Sequence, residues 1–263
     1  MDRLLNIASL SYGKDSLAQL EIMHRNGIPI DGILTADIWA TKEIPAYLPE
    51  LADFRNRMDY EIEKRYGVEV THAKASKTFE ECFFRERSSR SQYDGIWGWP
   101  PVFGHWCMRI LKAEPLQAVA DQIGPSVAWI GIAADEPQRH NQLNETKRSA
   151  LVEYGITEAM AMDICKDLGW VSPTYMHSGR DGCWFCPCQG IDQLRRLYRE
   201  FPEYWALMMK WDSAEGQTNR FKIDHTLMEY DKRFRMEEAG ELREDIPFEW
   251  AMLEEPVQLK FIK

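Results

Sequence analysis

The sequence predicts an α/β chain: a doubly wound, mainly parallel five-stranded sheet followed by a helical, cysteine-rich C-terminal extension. Three observations carry this. Short apolar runs alternate with stretches of helical periodicity between Leu4 and Tyr154, the pattern that gives parallel strands with crossover helices on both faces. The first apolar run passes through Ser11-Tyr-Gly-Lys-Asp-Ser16 into a helix. Beyond Gly169 the strand signal stops and cysteines cluster.

Leu4 to Leu10 reads as the first strand. Leu17, Leu20, Ile22 and Met23 then share one helical face until Asn26-Gly27 ends the helix. Gly32 to Asp37 is the second strand, and Pro45 suits the first turn of a helix running to about Tyr66. Val68 to Ala73 is the third strand. From Ser76 to Trp106 periodicity disappears in favour of Arg, Ser, Gly, Trp and Pro, and a long aromatic-rich stretch of this kind predicts an ordered loop or lid. A helix over Ala113–Gln122 precedes a fourth strand, Val127 to Ile132, and Ser149 to Tyr154 reads as a fifth. Thr157 is an N-cap for a helix reaching about Leu168. Past Gly190 the chain reads as helical to about Trp211, and again over Thr226–Arg235. The expected organisation is a nucleotide-binding domain over 1–155, with its lid at about 76–106, and an extension over 156–263 packed on it.

Charge and composition bound the function. The 263 residues carry 32 basic and 42 acidic side chains, a net charge of −10, which opposes broad nucleic-acid binding. No apolar run approaches the roughly 18 residues a membrane span needs, so no membrane partner is expected. Met1–Ser9 lacks the features of a leader, and a cytoplasmic location follows as the expectation. Three of the six cysteines, Cys183, Cys186 and Cys188, fall within six residues; in a reducing compartment such a cluster points to a metal or redox site rather than disulfides.

Ser11–Ser16 is the first segment that carries chemistry. A strand end followed by a helix N-terminus offers exposed N–H groups, the positive end of a helix dipole, two hydroxyls and a lysine to an anion. Asp15 fits beside phosphate when it holds Mg²⁺. The loop lacks the second glycine and the spacing of a Walker A motif. Cys183-x-x-Cys186 is a knuckle able to place two thiolates on one ion.

Ser-x-Gly-Lys-Asp-Ser at the end of a first strand resembles the pyrophosphate-binding loop of the adenine nucleotide alpha-hydrolases, which include the ATP pyrophosphatases and the phosphoadenosine phosphosulfate (PAPS) reductases. Thr35-Ala-Asp-Ile is similar to their second-strand segment, and Trp106-Cys-Met-Arg-Ile-Leu-Lys-Ala-Glu-Pro-Leu to their Cys-x-x-x-Leu-Lys-x-x-Pro stretch. Gly131-Ile-Ala-Ala-Asp-Glu-Pro-Gln-Arg resembles Gly-x-Arg-x-Asp-Glu-Ser-x-Arg. Leu168–Tyr175, Arg180–Pro187 and Tyr198–Trp205 look like the PAPS-reductase-like proteins of phages, mobile elements and defence loci.

The resemblance implies an ATP or PAPS-like adenine nucleotide as the small-molecule partner. Its phosphates would lie on Ser11, Tyr12, Gly13, Lys14, Asp15 and Ser16, and the rest of it near Asp37, Lys112, Gly131, Asp135 and Arg139. Lys14 and Asp15, with Mg²⁺, would be catalytic. It also implies a four-thiolate centre of Cys107, Cys165, Cys183 and Cys186 holding Zn²⁺ or a [4Fe–4S] cluster, with Cys188 as the rival fourth ligand. Three departures stand out. Tyr12 replaces the usual glycine, so its ring is expected to cover the phosphate site or stack on a base; Ala133 replaces an arginine; and the tail Glu254–Lys263 has no cysteine, which disfavours thioredoxin-coupled sulfate reduction. The expected function is ATP cleavage at the α-phosphate, or transfer of sulfur or sulfonate from an activated nucleotide, with the acceptor open and a homodimer or protein complex as the expected assembly. The alternative is a non-catalytic nucleotide-binding accessory or sensor protein.

Overall fold

The computed structural model describes residues 3–88, 94–101, 104–176, 182–223 and 225–245. The chain divides into two compact units, Met1–Cys82 with Trp106–Trp184, and Phe83–His105 with Phe185–Lys263.

The first unit is built on five parallel strands in the order β3-β2-β1-β4-β5. These are β1 (Leu5–Leu10), β2 (Gly32–Asp37), β3 (Val70–Lys74), β4 (Ser126–Trp129) and β5 (Lys147–Arg148). The chain leaves β1 toward β2 and β3, then returns on the other side of β1 for β4 and β5. That reversal creates a crevice at the carboxyl ends of β1 and β4, the place where open α/β sheets take ligands. Helix α1 (Lys14–Arg25) follows β1 and buries Leu17, Leu20, Ile22 and Met23. Helix α2 (Pro49–Tyr66) starts at a proline, where a missing N–H costs nothing, and ends at Gly67 in the left-handed conformation. It begins four residues after Pro45, which instead bridges to Trp39.

A short helix, α3 (Phe79–Phe83), follows β3. Helix α4 (Trp106–Met108), a π turn (Arg109–Ala113) and helix α5 (Glu114–Ile123) run on without interruption. The expected fifth strand at Ser149–Tyr154 is instead helix α6 (Ala150–Glu153). The Ala150 N–H goes to the Gln19 side chain rather than to a strand, and Ser149 caps the helix through Val152 N–H. Thr157 caps helix α7 (Glu158–Leu168) as predicted, its hydroxyl accepting from Met160 N–H.

The 155/156 boundary does not hold. Helix α7 lies along α1, and Ala161, Ile164, Cys165 and Trp170 join the same hydrophobic core as β1 and α1. Burial of a large apolar side chain contributes about 1.5–3 kcal/mol, so these residues bind 156–184 to the sheet unit.

The second unit contains α8 (Ile191–Glu200), α9 (Pro202–Asp212) and α10 (Leu227–Glu238). Pro202 ends α8 and opens α9; Thr226 and Glu229 form a capping box on α10. Described residues of the expected lid are part of this unit's core. Trp99 is fully buried, with ring centres 5.2 Å from Phe83 and 4.8 Å from Phe221, and its Nε1–H donates to Asp212 at 2.7 Å. Gly95 is required there, since a Cβ would lie 2.1 Å from Gly216 O. Trp106, at the end of the expected lid, belongs to the first unit and stacks on Phe79. Residues 89–93, 102–103 and the cysteine-free tail 254–263 lie outside the described residues. No helix among the described residues is long and apolar enough to cross a membrane.

Candidate functional site

Strand β1 delivers Ser11, Tyr12 and Gly13 to the start of α1. Gly13 is the N-cap and offers no side-chain acceptor, so the turn is held by Ser16: its hydroxyl donates to Gly13 O at 2.9 Å and accepts Ser11 N–H at 3.1 Å. Helix N–H groups and dipole then face the crevice. Gly131, just past β4, closes the other side. A Cβ there would stand 2.7 Å from Ser16 N and 2.8 Å from the Asp15 carbonyl carbon, so only glycine allows the two backbones to approach this closely.

Ser11, Gly13, Lys14, Asp15, Ser16, Lys112, Gly131 and Arg139 all line one cleft of about 660 Å³. Three other expected contacts do not. Asp37 accepts from Trp39 Nε1 at 2.8 Å and faces a separate cavity of about 180 Å³; its neighbours Thr35 and Ala36 line the cleft instead. Asp135 accepts the Glu158 N–H at 2.9 Å and so anchors the start of α7. Tyr12 neither covers the phosphate site nor stands free to stack on a base. It is fully buried, its hydroxyl donates to Asp59, and its φ of 63° makes it the one non-glycine in the left-handed region among the described residues. That conformation costs about 1–2 kcal/mol, offset by burial of the ring.

Charge concentrates at Lys14. Its Nζ lies 2.8 Å from Asp15 and 3.4 Å from Glu158. Burial works against its charge, but the Asp15 hydrogen bond and the carboxylates raise its pKa. Burial also raises the pKa of Asp15, with Lys14 opposing and Glu158 and Glu136 adding repulsion. Glu136 resists its own burial: hydrogen bonds from Arg139 and Ala133 N–H hold it below the usual carboxylate range. Asp15, Glu136 and Glu158 have ligand atoms within 4.8 Å of one another, the one such group of three among the described residues. Hard carboxylate oxygens beside a phosphate-type loop suit Mg²⁺.

Sequence reasoning missed Glu136, Glu158, Tyr175 and Arg55, which also surround the loop or line the cleft. Glu136 was within reach, as the second acid of the Asp135-Glu136 pair. Glu158 reads in sequence as a favourable first-turn acid, and only the packing of α7 on α1 takes it to Lys14. Tyr175 carries no sequence signal, yet its hydroxyl accepts the Lys14 N–H at 3.1 Å.

Cysteines of the expected set fall in both units. Cys165 is fully buried on α7; its thiol donates to Lys14 O at 3.3 Å, and burial pushes its pKa up to about 12. Cys165 thus sits in the hydrophobic core shared by β1 and α1, with its thiol turned toward the first turn of α1. Cys183 lines the cleft. Cys107 is half-buried in the same unit, whereas Cys186 is half-buried and Cys188 exposed in the second.

No protein-family model and no curated protein matches the chain. Solved structures to which it is similar, at low identity, include the following two. The phosphate complex of a PAPS reductase from Candida auris shares 11% identity, with 62% of this chain and 72% of that chain covered and a TM-score of 0.36. The U34-tRNA thiolase NcsA from Methanococcus maripaludis with its [4Fe-4S] cluster shares 14% identity, with 88% and 81% covered and a TM-score of 0.41.

Proposed function

We propose that the protein is an enzyme that binds an adenine nucleotide with its phosphates on Ser11–Ser16 and cleaves it at the α-phosphate. The carrying observation is the grouping of Asp15, Glu136 and Glu158 around Lys14 at the end of β1. Three carboxylates repel a bare phosphate or sulfate, so the arrangement favours a polyphosphate brought in with a divalent cation. Mg²⁺ held by these carboxylates would withdraw charge from the phosphate oxygens. Lys14 and the α1 N–H groups hold the departing pyrophosphate and offset its developing charge. Gly131 keeps the loop's backbone donors in line. The products are pyrophosphate and an adenylate of the acceptor, or AMP where water is the acceptor.

A second reading, sulfur or sulfonate transfer from an activated nucleotide, is favoured by one observation. Cys183 lines the same cleft and would supply the thiol.

The test is a product assay with ATP and Mg²⁺ in the wild type, Lys14→Met and Asp15→Asn. AMP or adenylate with pyrophosphate is expected from the wild type, falling at least about 100-fold in Lys14→Met, while Asp15→Asn weakens Mg²⁺-dependent binding. Tight ATP binding without any turnover would favour the accessory or sensor role. ATP affinity equal with and without Mg²⁺ would refute the role given to Asp15.

A further inference from the structure

Arg55, on α2, is a buried cation without a counter-ion. It is 6% exposed, and among the described residues no carboxylate oxygen lies within 4.0 Å of its guanidinium. Its one protein hydrogen bond is a long one, Nη2 to Ala36 O at 3.5 Å, and that carbonyl already accepts the Tyr47 hydroxyl at 3.1 Å. Asp59, the acid bonded to Tyr12, is engaged by the Tyr12 hydroxyl and by His72.

Two rings hold the guanidinium in place. The Tyr12 ring centre lies 4.2 Å from its carbon and the Tyr47 ring centre 3.9 Å. The rings offset part of the desolvation of the charge but provide no hydrogen-bond acceptor in the guanidinium plane. Arg55 lines the same cleft as the loop, on the β2 side with Thr35, Ala36 and Tyr47. The carboxylates around Lys14 lie on the α7 side.

We propose that Arg55, clamped between Tyr12 and Tyr47, is an oxyanion subsite separate from the Ser11–Ser16 loop. It takes a phosphate, sulfate or carboxylate group through the planar N–H fork that suits such groups. The departure at Tyr12 then has a purpose, since its ring forms one jaw of the clamp. The inference rests on the nucleotide reading for its setting and deepens it: the complete ligand set carries a second anion on the β2 side, either on the ribose of the nucleotide or on the acceptor.

The experiment is isothermal titration of the full chain as wild type, Arg55→Met and Arg55→Lys. The probes are AMP, adenosine 3′,5′-bisphosphate, and inorganic phosphate with and without saturating AMP. The wild type is expected either to prefer the bisphosphate over AMP by about tenfold, placing the anion on the ribose, or to bind phosphate alongside AMP, placing it on a second ligand. Arg55→Met loses about tenfold of whichever is seen, and Arg55→Lys, with charge but no fork, recovers only part. If Arg55→Met fails to fold by near-ultraviolet circular dichroism, a loss of about threefold or more in Arg55→Lys decides the matter. A wild type with neither behaviour, or Arg55 variants with wild-type values, overturns the subsite while leaving the nucleotide reading intact. A wild type that binds no AMP defeats the nucleotide reading instead. Phosphate alone then decides Arg55: weaker binding in Arg55→Met upholds it and equal binding overturns it.

Discussion

The hydroxyl of Tyr175 accepts the backbone N–H of Lys14 at 3.1 Å, at the first turn of α1. A phosphate oxygen arriving on the loop would compete for this same donor. Tyr175→Phe removes the internal acceptor, and its expected effects are a loss of about 1 kcal/mol in denaturant unfolding and an ATP affinity equal to or up to about tenfold above wild type. A marked fall in affinity would show that the hydroxyl helps to hold the ligand.

Gly131 and Gly182 both line the cleft, but they differ in what a methyl group would meet. At Gly131 it would strike Ser16 N, whereas at Gly182 it meets nothing within 4 Å. Gly131→Ala is expected to cost about 1–3 kcal/mol and to weaken nucleotide binding, because the loop must shift. Gly182→Ala should melt like the wild type. Thermal melts of the two variants side by side check the contrast.

Glu21 is buried on α1 and accepts hydrogen bonds from Arg25, Arg65 and Tyr66. Burial alone would raise its pKa; these donors outweigh burial and hold it at about 2, against an ordinary 4.5. Its stabilising effect is therefore complete above about pH 4.5 and is lost as pH falls toward 2. Glu21→Gln should cost about 2–3 kcal/mol at pH 7, the half-exposed arginines keeping the figure moderate. The gap between variant and wild type should close in acid, as followed by unfolding free energy against pH.

Cys165 is a core residue in this fold. Cys165→Ser puts a smaller, more strongly hydrated group in this buried site, able to keep only the bond to Lys14 O, and is expected to lower stability by about 1–3 kcal/mol while leaving as-purified zinc and iron content unchanged. Elemental analysis showing a loss of metal would instead make Cys165 one of the thiolate ligands.

The strands, the phosphate-type loop and the N-cap at Thr157 were legible because each depends on neighbours in sequence: an apolar run, a glycine at a turn, a hydroxyl three residues before the N–H it serves. The expected strand at Ser149–Tyr154 failed for the opposite reason. Gln19, 131 positions before Ala150, takes the backbone donor that a strand would need. The aromatic stretch after Ser76 showed that it was ordered but not what it packs on, since Trp99 meets its partners Asp212 and Phe221 more than a hundred residues later.

The sequence by itself determined the α/β class, the loop that ends β1, and the residues Lys14, Asp15, Gly131 and Arg139 that line its cleft. Tertiary structure alone decided which acids share that loop, how deeply Cys165 is buried, and where Tyr12 points. Glu158 reaches Lys14 only because α7 packs on α1, and that packing buries Cys165 beneath the same turn. Tyr12 turns inward because Asp59 and Arg55 wait on α2. Charge and hydrogen bonding act over a few ångströms in space, and residues far apart in the chain enter that range only when hydrophobic burial brings their helices together.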